Sequence, residues 1–411
     1  YYVRKHISDC LQARTHPRSM HLKQTQQPDA IAITISRLLS RALLGSLIGA
    51  MLLCSQARAG GLVRLTDKQL DTLDGKILGV TPAVCSIMDR QGRLHHKEMR
   101  DLKSLEKVSV RFEADSTGAF REALRAEFKG YEVAGTTHYL VCAPPGRADQ
   151  YAELFETIYR DVVLFYRVRG FTVKNPDVPM VAVIFRSQSE FAQYCRRDNV
   201  PPSQTLMGYY SLLSNRVALF DDPSLLKTAH AEKQLNVIDG IAAYAAISGN
   251  TADTVIHETT HQVSYNVGVH SRLGGTPVWV VEGLATVLEP SGMRKKEGRH
   301  LMADRINTER ADWFENKHRP TRAMGDLAKL VASDEYFFKS TLDSYSEAWA
   351  FTFFLMEKPS RRQEFVRYLQ TIGKRDPIKA YTAEARLSDF QAAFGDISRL
   401  EVDFIRFLDR M

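Results

Sequence analysis

Two histidines four residues apart, His257 and His261, constrain this 411-residue chain more than any other feature. In an α-helix, positions i and i+4 lie one above the other on one face, so two imidazole nitrogens can aim at a single point. In a strand the same spacing would hold the side chains about 13 Å apart. The residues between them complete His257-Glu258-Thr259-Thr260-His261, the H-E-x-x-H pattern. The pattern leads one to expect a zinc ion on the two histidines, with Glu258, one position round the helix, placed to reach a water beside the metal rather than the metal itself. Two imidazoles leave such an ion short of a ligand, because a catalytic zinc takes three protein ligands and keeps a fourth position open. Glu282, twenty-one residues beyond His261 in Trp279-Val280-Val281-Glu282-Gly283-Leu284-Ala285, is the candidate third ligand.

The surroundings of the motif are those of two helices. Gly249-Asn250-Thr251-Ala252-Asp253 offers capping residues, and Asp253 to Val267 has the pattern of a partly buried helix ended by Gly268. Thr276-Pro277 starts a second helix and Pro290 stops it after Glu289. Glu282 then lies mid-helix among Val278, Trp279, Val280, Val281, Leu284, Ala285, Val287 and Leu288. A carboxylate in such a run needs a partner, since burying it alone costs several kcal/mol. His270 competes for the third position. It lies beyond Gly268, however, and a longer H-E-x-x-H-x-x-G-x-x-H motif would need Gly and His where Ser264 and Val267 stand, so His270 is expected in a loop.

These two helices resemble those of the gluzincin metallopeptidases, in which a Glu from a W-x-x-E-G-type helix completes the zinc site. The run from Thr137-His138-Tyr139 through Gly208-Tyr209-Tyr210, Asn215-Arg216-Val217, the H-E-x-x-H motif, Asn266-Val267-Gly268 and Tyr345-Ser346-Glu347-Ala348-Trp349 is similar to an uncharacterised bacterial family of gluzincin-like proteins. The resemblance spans roughly residues 105 to 411 and is specific for the metal site, not for substrate. It implies that Tyr345, opening a helix some sixty residues past Glu282, stabilises a tetrahedral intermediate. Many gluzincins also carry an acidic residue one turn after the ligand Glu, hydrogen-bonded to the metal site. Thr286 stands there in this chain, and it would support a ligand histidine less strongly.

The ends of the chain carry other signals. Arg37 and Arg41 precede an apolar run, Ala42 to Cys54, too short to span a bilayer comfortably, and Ala57-Arg58-Ala59 follows with small residues where a signal peptidase reads. Residues 1–59 are therefore expected to be a secretory leader, with Met20 a candidate start and export following cleavage near Ala59. A membrane anchor is the alternative. Lipidation of Cys54 is disfavoured by Leu53, where Gly or Ala is usual. Residues 1–59 hold eight of the 55 Lys and Arg but two of the 48 Asp and Glu, so the remainder is balanced to within one charge. That balance argues against a nucleic-acid partner, which asks for a concentrated basic surface. Arg294-Lys295-Lys296-Glu297-Gly298-Arg299, the densest basic cluster, reads as a solvated loop. Cys85, Cys142 and Cys195 follow the leader and allow one disulfide at most.

Along the rest, residues 60–104 are turn-rich and read as a small β-rich module. From Val108 to Phe112 onward the pattern changes. Thr137–Cys142 and Met180–Phe185 read as strands, Tyr151–Tyr166 as a helix, and Met207–Leu212 with Val217–Asp221 as a hairpin. In gluzincins an edge strand beside the zinc cleft pairs with an extended peptide, and this hairpin is similar in position; a purely structural hairpin is the competing reading. Residues 224–250 are a less patterned insertion and a candidate lid. After Pro290 the chain reads as mostly helical, with the aromatic stripe of Tyr345–Met356 as core apart from Tyr345.

The expectation is thus an α+β fold: a mixed-sheet part at 105–250, and zinc-site helices with a mostly helical C-terminal part at 251–411. Function is read as an exported zinc metallohydrolase acting on an extended peptide or protein, with zinc on His257, His261 and Glu282, Glu258 as general base and Tyr345 as oxyanion donor. Hydrolysis of a non-peptide amide would use the same parts. An inactive binding or structural protein of the cell envelope is the alternative of another class. No membrane span is expected after the leader.

Overall fold

The structure, a computed structural model, describes residues 60–204, 206–220, 250–294, 301–377 and 379–411. The leader, most of the candidate lid and most of the basic loop lie outside the described residues. Two compact units divide at Asp115/Ser116.

The first unit is a five-stranded antiparallel sheet: β1 Leu62–Asp67, β2 Thr72–Val80, β3 Val84–Asp89, β4 Leu94–Glu98 and β5 Leu102–Ser109, in the order β4-β3-β2-β1-β5. Side-chain alternation sends Val63, Leu65, Ile77, Cys85 and Ile87 into one core. Two tight turns are held by aspartates: the Asp67 carboxylate accepts from the N–H groups of Gln69 and Asp71, and that of Asp89 from Gln91 and Arg93. The expected boundary at 104 is corrected here. β5 runs to Ser109 and pairs along β1, because Leu102 and Leu105 pack on the same core, so Val108 closes this sheet and does not open the next region.

The second unit is α+β. Its sheet has the order β6-β7-β8-β10-β9, built from β6 Glu132–Gly135, β7 Tyr139–Ala143, β8 Met180–Phe185, β9 Gly208–Ser211 and β10 Arg216–Phe220. β7, β8 and β10 run parallel in the centre, and β6 and β9 run antiparallel at the edges. All six residues of β8 are buried, as a central strand covered on both faces requires. Helices α1 Thr117–Glu127, α2 Ala148–Val168 and α3 Gln188–Arg197 accompany the sheet. α2 buries Leu154, Phe155, Ile158, Tyr159, Val162 and Phe165, the face its 3.6-residue period marks out.

Six longer helices follow: α4 Asn250–Asn266, α5 Val278–Leu288, α6 Thr341–Glu357, α7 Pro359–Gly373, α8 Ala383–Phe394 and α9 Ile397–Leu408. α4 is fastened to the sheet from below. Gln262 donates to the carbonyls of Val181 in β8 (2.9 Å) and Asn215 in the hairpin turn (2.8 Å), and Tyr166 of α2 bonds Ser264 at 2.7 Å. Every residue of α5 is buried. Trp279 stacks among Phe351, Phe365, Tyr368 and Phe390, and Asp334, itself paired to Arg386, accepts from the first free N–H of α5, that of Val278. α6 is held by an ionic network sealed from solvent. Glu347 accepts from Arg322 (2.7 Å) and His318 (2.6 Å), and Arg322 reaches on to Glu401 of α9 (2.6 Å). Breaking such a network by removing one member strands a buried charge, so α6 is fixed in place two residues from Tyr345.

No helix among the described residues is long and apolar enough to cross a membrane.

Gly283 shows why glycine follows Glu282. A Cβ there would lie 2.1 Å from Thr352 Oγ1 and 2.7 Å from the Ala348 carbonyl, so α5 and α6 touch backbone to backbone. Gly283→Ala is expected to lower the urea midpoint by the equivalent of about 1–3 kcal/mol, the usual range for overpacking. Gly373→Ala, at a helical position with open space around it, should leave the midpoint unchanged or raise it.

Candidate metal centre

α4 presents His257 and His261 on one face, and α5 lays Glu282 against them. His257 Nε2 lies 3.0 Å from His261 Nε2, and Glu282 Oε2 lies 3.2 Å from the first and 3.3 Å from the second. Ligands about 2.0–2.1 Å from a tetrahedral zinc stand about 3.3 Å from one another, so the three edges match a ligand triangle. Among the described residues no other trio of His, Cys, Asp or Glu side chains converges in this way. The donor set, two imidazoles and one carboxylate, is also that of a catalytic zinc site.

The charges around the triangle favour a cation. Burial disfavours a charged His257, but hydrogen bonds to Glu282 and Glu289 and the nearby Glu258 charge outweigh it and push its pKa up to about 10. Burial likewise opposes ionisation of Glu282, yet the charge of His261 and hydrogen bonds from both histidines hold its carboxyl well below the usual range. Positive charge, whether a proton or a metal ion, is therefore what this cluster is built to hold.

Glu258 stands beside the triangle and not in it. Its Oε2 accepts from the backbone N–H of Tyr210 at 2.7 Å, so the edge strand β9 orients the carboxylate. β9 is in turn locked to α4: the Tyr210 hydroxyl donates to Asn215 Oδ1 (2.8 Å), the Asn215 amide donates to Asn266 Oδ1 (3.0 Å), and the Tyr210 and Tyr265 rings stack. Asn215 can serve as this hinge because it sits at φ +58°, a conformation asparagine tolerates better than most residues.

Tyr345 also reaches the centre. Its ring lies 6.4 Å from that of His257, close enough for the charges of Glu282 and Glu258 to act on its hydroxyl. Burial and the charges of Glu282 and Glu258 raise its pKa well above that of a free tyrosine, so it keeps its proton and remains a donor. His257, Glu258 and Tyr345 are partly exposed while His261 and Glu282 are buried, which places the accessible side of the centre at Glu258 and Tyr345.

The five residues singled out from the sequence thus come together. His270 does not join them: its N–H closes the end of α4 on the Ser264 carbonyl and its ring packs against Tyr265. Two expectations need correction. Thr286 does not support a ligand histidine, because its hydroxyl bonds the carbonyls of Glu282 and Gly283 within its own helix. Glu289 does so instead, accepting from His257 Nδ1 at 2.8 Å. Seven residues separate Glu282 and Glu289, two turns and the same helix face, a spacing that would have marked Glu289 in the sequence. Arg294, read as part of a solvated loop, is buried and donates to the carbonyls of Leu288 and Glu289, where it ties off the end of α5. Asn307 donates to the Glu289 carboxylate as well, a partner that no local pattern announces.

Cys142 and Cys195 offer no rival chemistry. Burial pushes their thiols up to about 12 and about 11, where the nucleophilic thiolate is scarce at neutral pH.

Residues 251–379 match a family model described as a protein of unknown function, DUF1570. The chain carries a DUF1570 domain. That domain runs from the start of α4 past the end of α7 and contains His257, Glu258, His261, Glu282, Glu289 and Tyr345. It is shorter than the stretch, roughly residues 105 to 411, expected from the sequence. No curated protein matches the chain.

Titrated with zinc against a chromophoric chelator, Glu289→Ala is expected to bind about 10- to 100-fold more weakly than the parent chain, since losing the carboxylate behind a ligand histidine costs that much elsewhere. Thr286→Val should bind as the parent does. Equal losses in the two would return the supporting role to Thr286.

Proposed function

We propose that this chain is a zinc-dependent hydrolase of amide bonds, and specifically a peptidase of the gluzincin kind. The observation that carries the reading is the division of labour at the centre: three donor atoms 3.0–3.3 Å apart, with Glu258 beside them and held by a different element. A purely structural zinc would be expected to take four protein ligands and would have no use for an oriented carboxylate next to it.

Zinc on His257, His261 and Glu282 would supply Lewis acidity and lower the pKa of a water in its open position toward 7. The remaining work falls to the chain's own groups. Glu258, aimed by the Tyr210 N–H, takes the proton of the attacking water and passes it to the leaving amine. Tyr345, protonated at every ordinary pH, donates to the oxygen of the scissile carbonyl as negative charge grows on it. Glu289 keeps His257 in the tautomer that presents Nε2 to the centre.

The edge position of β9 supports an extended peptide as substrate, added as a further strand. Because Glu258 already occupies the Tyr210 N–H, that pairing would use the outward groups of Gly208 and the Tyr210 carbonyl. Export of the chain, read from residues 1–59, belongs to the same proposal.

Metal analysis of the purified protein is expected to find about one zinc per chain, and Glu282→Ala to lose most of it. Glu258→Gln should keep the zinc and the fold while peptide cleavage falls about 10²–10⁴-fold. Tyr345→Phe should also keep the zinc and lose about 10²–10³-fold, the usual share of one oxyanion donor. Cleavage of a peptide library by the wild type, abolished by chelator and restored by zinc, is the direct test; a Glu258→Gln variant that cleaves at the wild-type rate would remove the mechanism.

A further inference from the structure

Arg310 is a cation at the edge of this centre with little to hold it there. It belongs to the short helix Thr308–Trp313, whose cap, Asn307, accepts from the Arg310 N–H (3.2 Å) and donates to Glu289. The same contact that supports His257 therefore sets the place of Arg310. Its guanidinium carbon lies 5.7 Å from the centre of the Tyr345 ring, and its charge acts on both Tyr345 and Asp253, the residue one turn before His257 on α4.

Its partners are few. The side chain is 19% exposed, yet its one ion pair among the described residues is with the adjacent Glu309, at 3.4 Å and with Glu309 67% exposed, a pairing of small worth. Nε is sealed from solvent and has no hydrogen-bond partner among the described residues. A guanidinium offers five donors in a planar fork suited to a carboxylate, and this one is only partly covered. Such a group, next to a tyrosine that serves the scissile carbonyl, fits a ligand that brings its own anion.

We infer that Arg310 receives a carboxylate of the substrate, so that the enzyme prefers peptides carrying a negative charge near the bond that is cut. This rests on the peptidase reading and names its substrate class. The charge has two sources in a peptide, the free C-terminus and an Asp or Glu side chain, and they share the chemistry that the guanidinium reads.

The test separates both questions. Acetylated alanine-rich pentapeptides with one phenylalanine are made as the free acid, as the C-terminal amide, and as amides with a single internal Glu or Gln. Their binding to zinc-loaded Glu258→Gln protein, in which turnover is slowed, is measured by calorimetry. A charge-assisted contact of ordinary strength gives an expected preference of about 10- to 100-fold for the charged member of at least one pair. The pair that discriminates identifies the source of the charge. Adding Arg310→Gln should bring that ratio near one, and Arg310→Lys should restore part of it, with zinc content and thermal unfolding checked in each. A ratio near one in the parent, or a preference that survives Arg310→Gln, overturns the assignment. Zinc-dependent cleavage of the amides by the wild type is scored apart. Cleavage without discrimination would leave the peptidase reading standing and remove Arg310; discrimination in binding without any cleavage would keep Arg310 as an anion site and remove the peptidase.

Discussion

A carboxylate buried in the middle of an apolar helix has to be answered, and the arrangement of this domain follows from how Glu282 is answered. α5 is covered on all sides, with Trp279 in an aromatic cluster below and Gly283 pressed against α6, so Glu282 cannot reach water. Its partners are the two imidazoles of α4, with the Tyr345 ring of α6 lying 6.4 Å from that of His257. Two helices are therefore pinned to each other through one side chain, and the close approach at Gly283 packs α6 against α5. Unpaired, a charge so placed would cost many times the net stability of a typical domain contact. Paired, it gives a pocket of negative field around two imidazoles, and that is the electrostatic definition of a cation site.

Around this pin the supports are arranged in series. Glu289 braces His257, Asn307 braces Glu289, and Arg294 closes the carbonyl end of the helix that carries both glutamates. On the other side Tyr210 braces Glu258, and the Asn215–Asn266 pair braces Tyr210. The ligands and the proposed base are thus oriented by independent elements, one from the helical part and one from the sheet. A change in one support would disturb metal affinity and a change in the other proton transfer, which makes the two separable by mutation.

Much of this was legible in the sequence because it is written in local spacing. The i, i+4 histidines, the apolar run around Glu282, the strand alternation and the stop residues Gly268 and Pro290 act within a few positions, and the helices and strands form where those patterns put them. The rest depends on contacts that only the folded arrangement decides. Glu289 lies two turns from Glu282, one turn beyond where Thr286 drew attention, and a threonine in a helix can satisfy its hydroxyl on its own backbone, as Thr286 does. Arg294 sits among charges that read as solvated, but the end of a buried helix needs donors for its last carbonyls, and Arg294 supplies them. The true end of the first sheet is hidden because β5 alternates only weakly: one face packs on Leu65 and its neighbours while the other carries exposed Val108. The Tyr210–Glu258 contact involves a backbone N–H, which no residue pattern records.

Zinc at this centre would take two imidazole nitrogens and one carboxylate from the chain, with a position left open. X-ray absorption at the zinc edge on the zinc-loaded protein measures that ligand set directly. The expected result is a four-coordinate zinc with two imidazole nitrogens and light oxygen donors at about 2.0–2.1 Å, and loss of one imidazole signal in His261→Ala. A sulfur shell at about 2.3 Å, a third imidazole, or zinc bound unchanged in His261→Ala would contradict it.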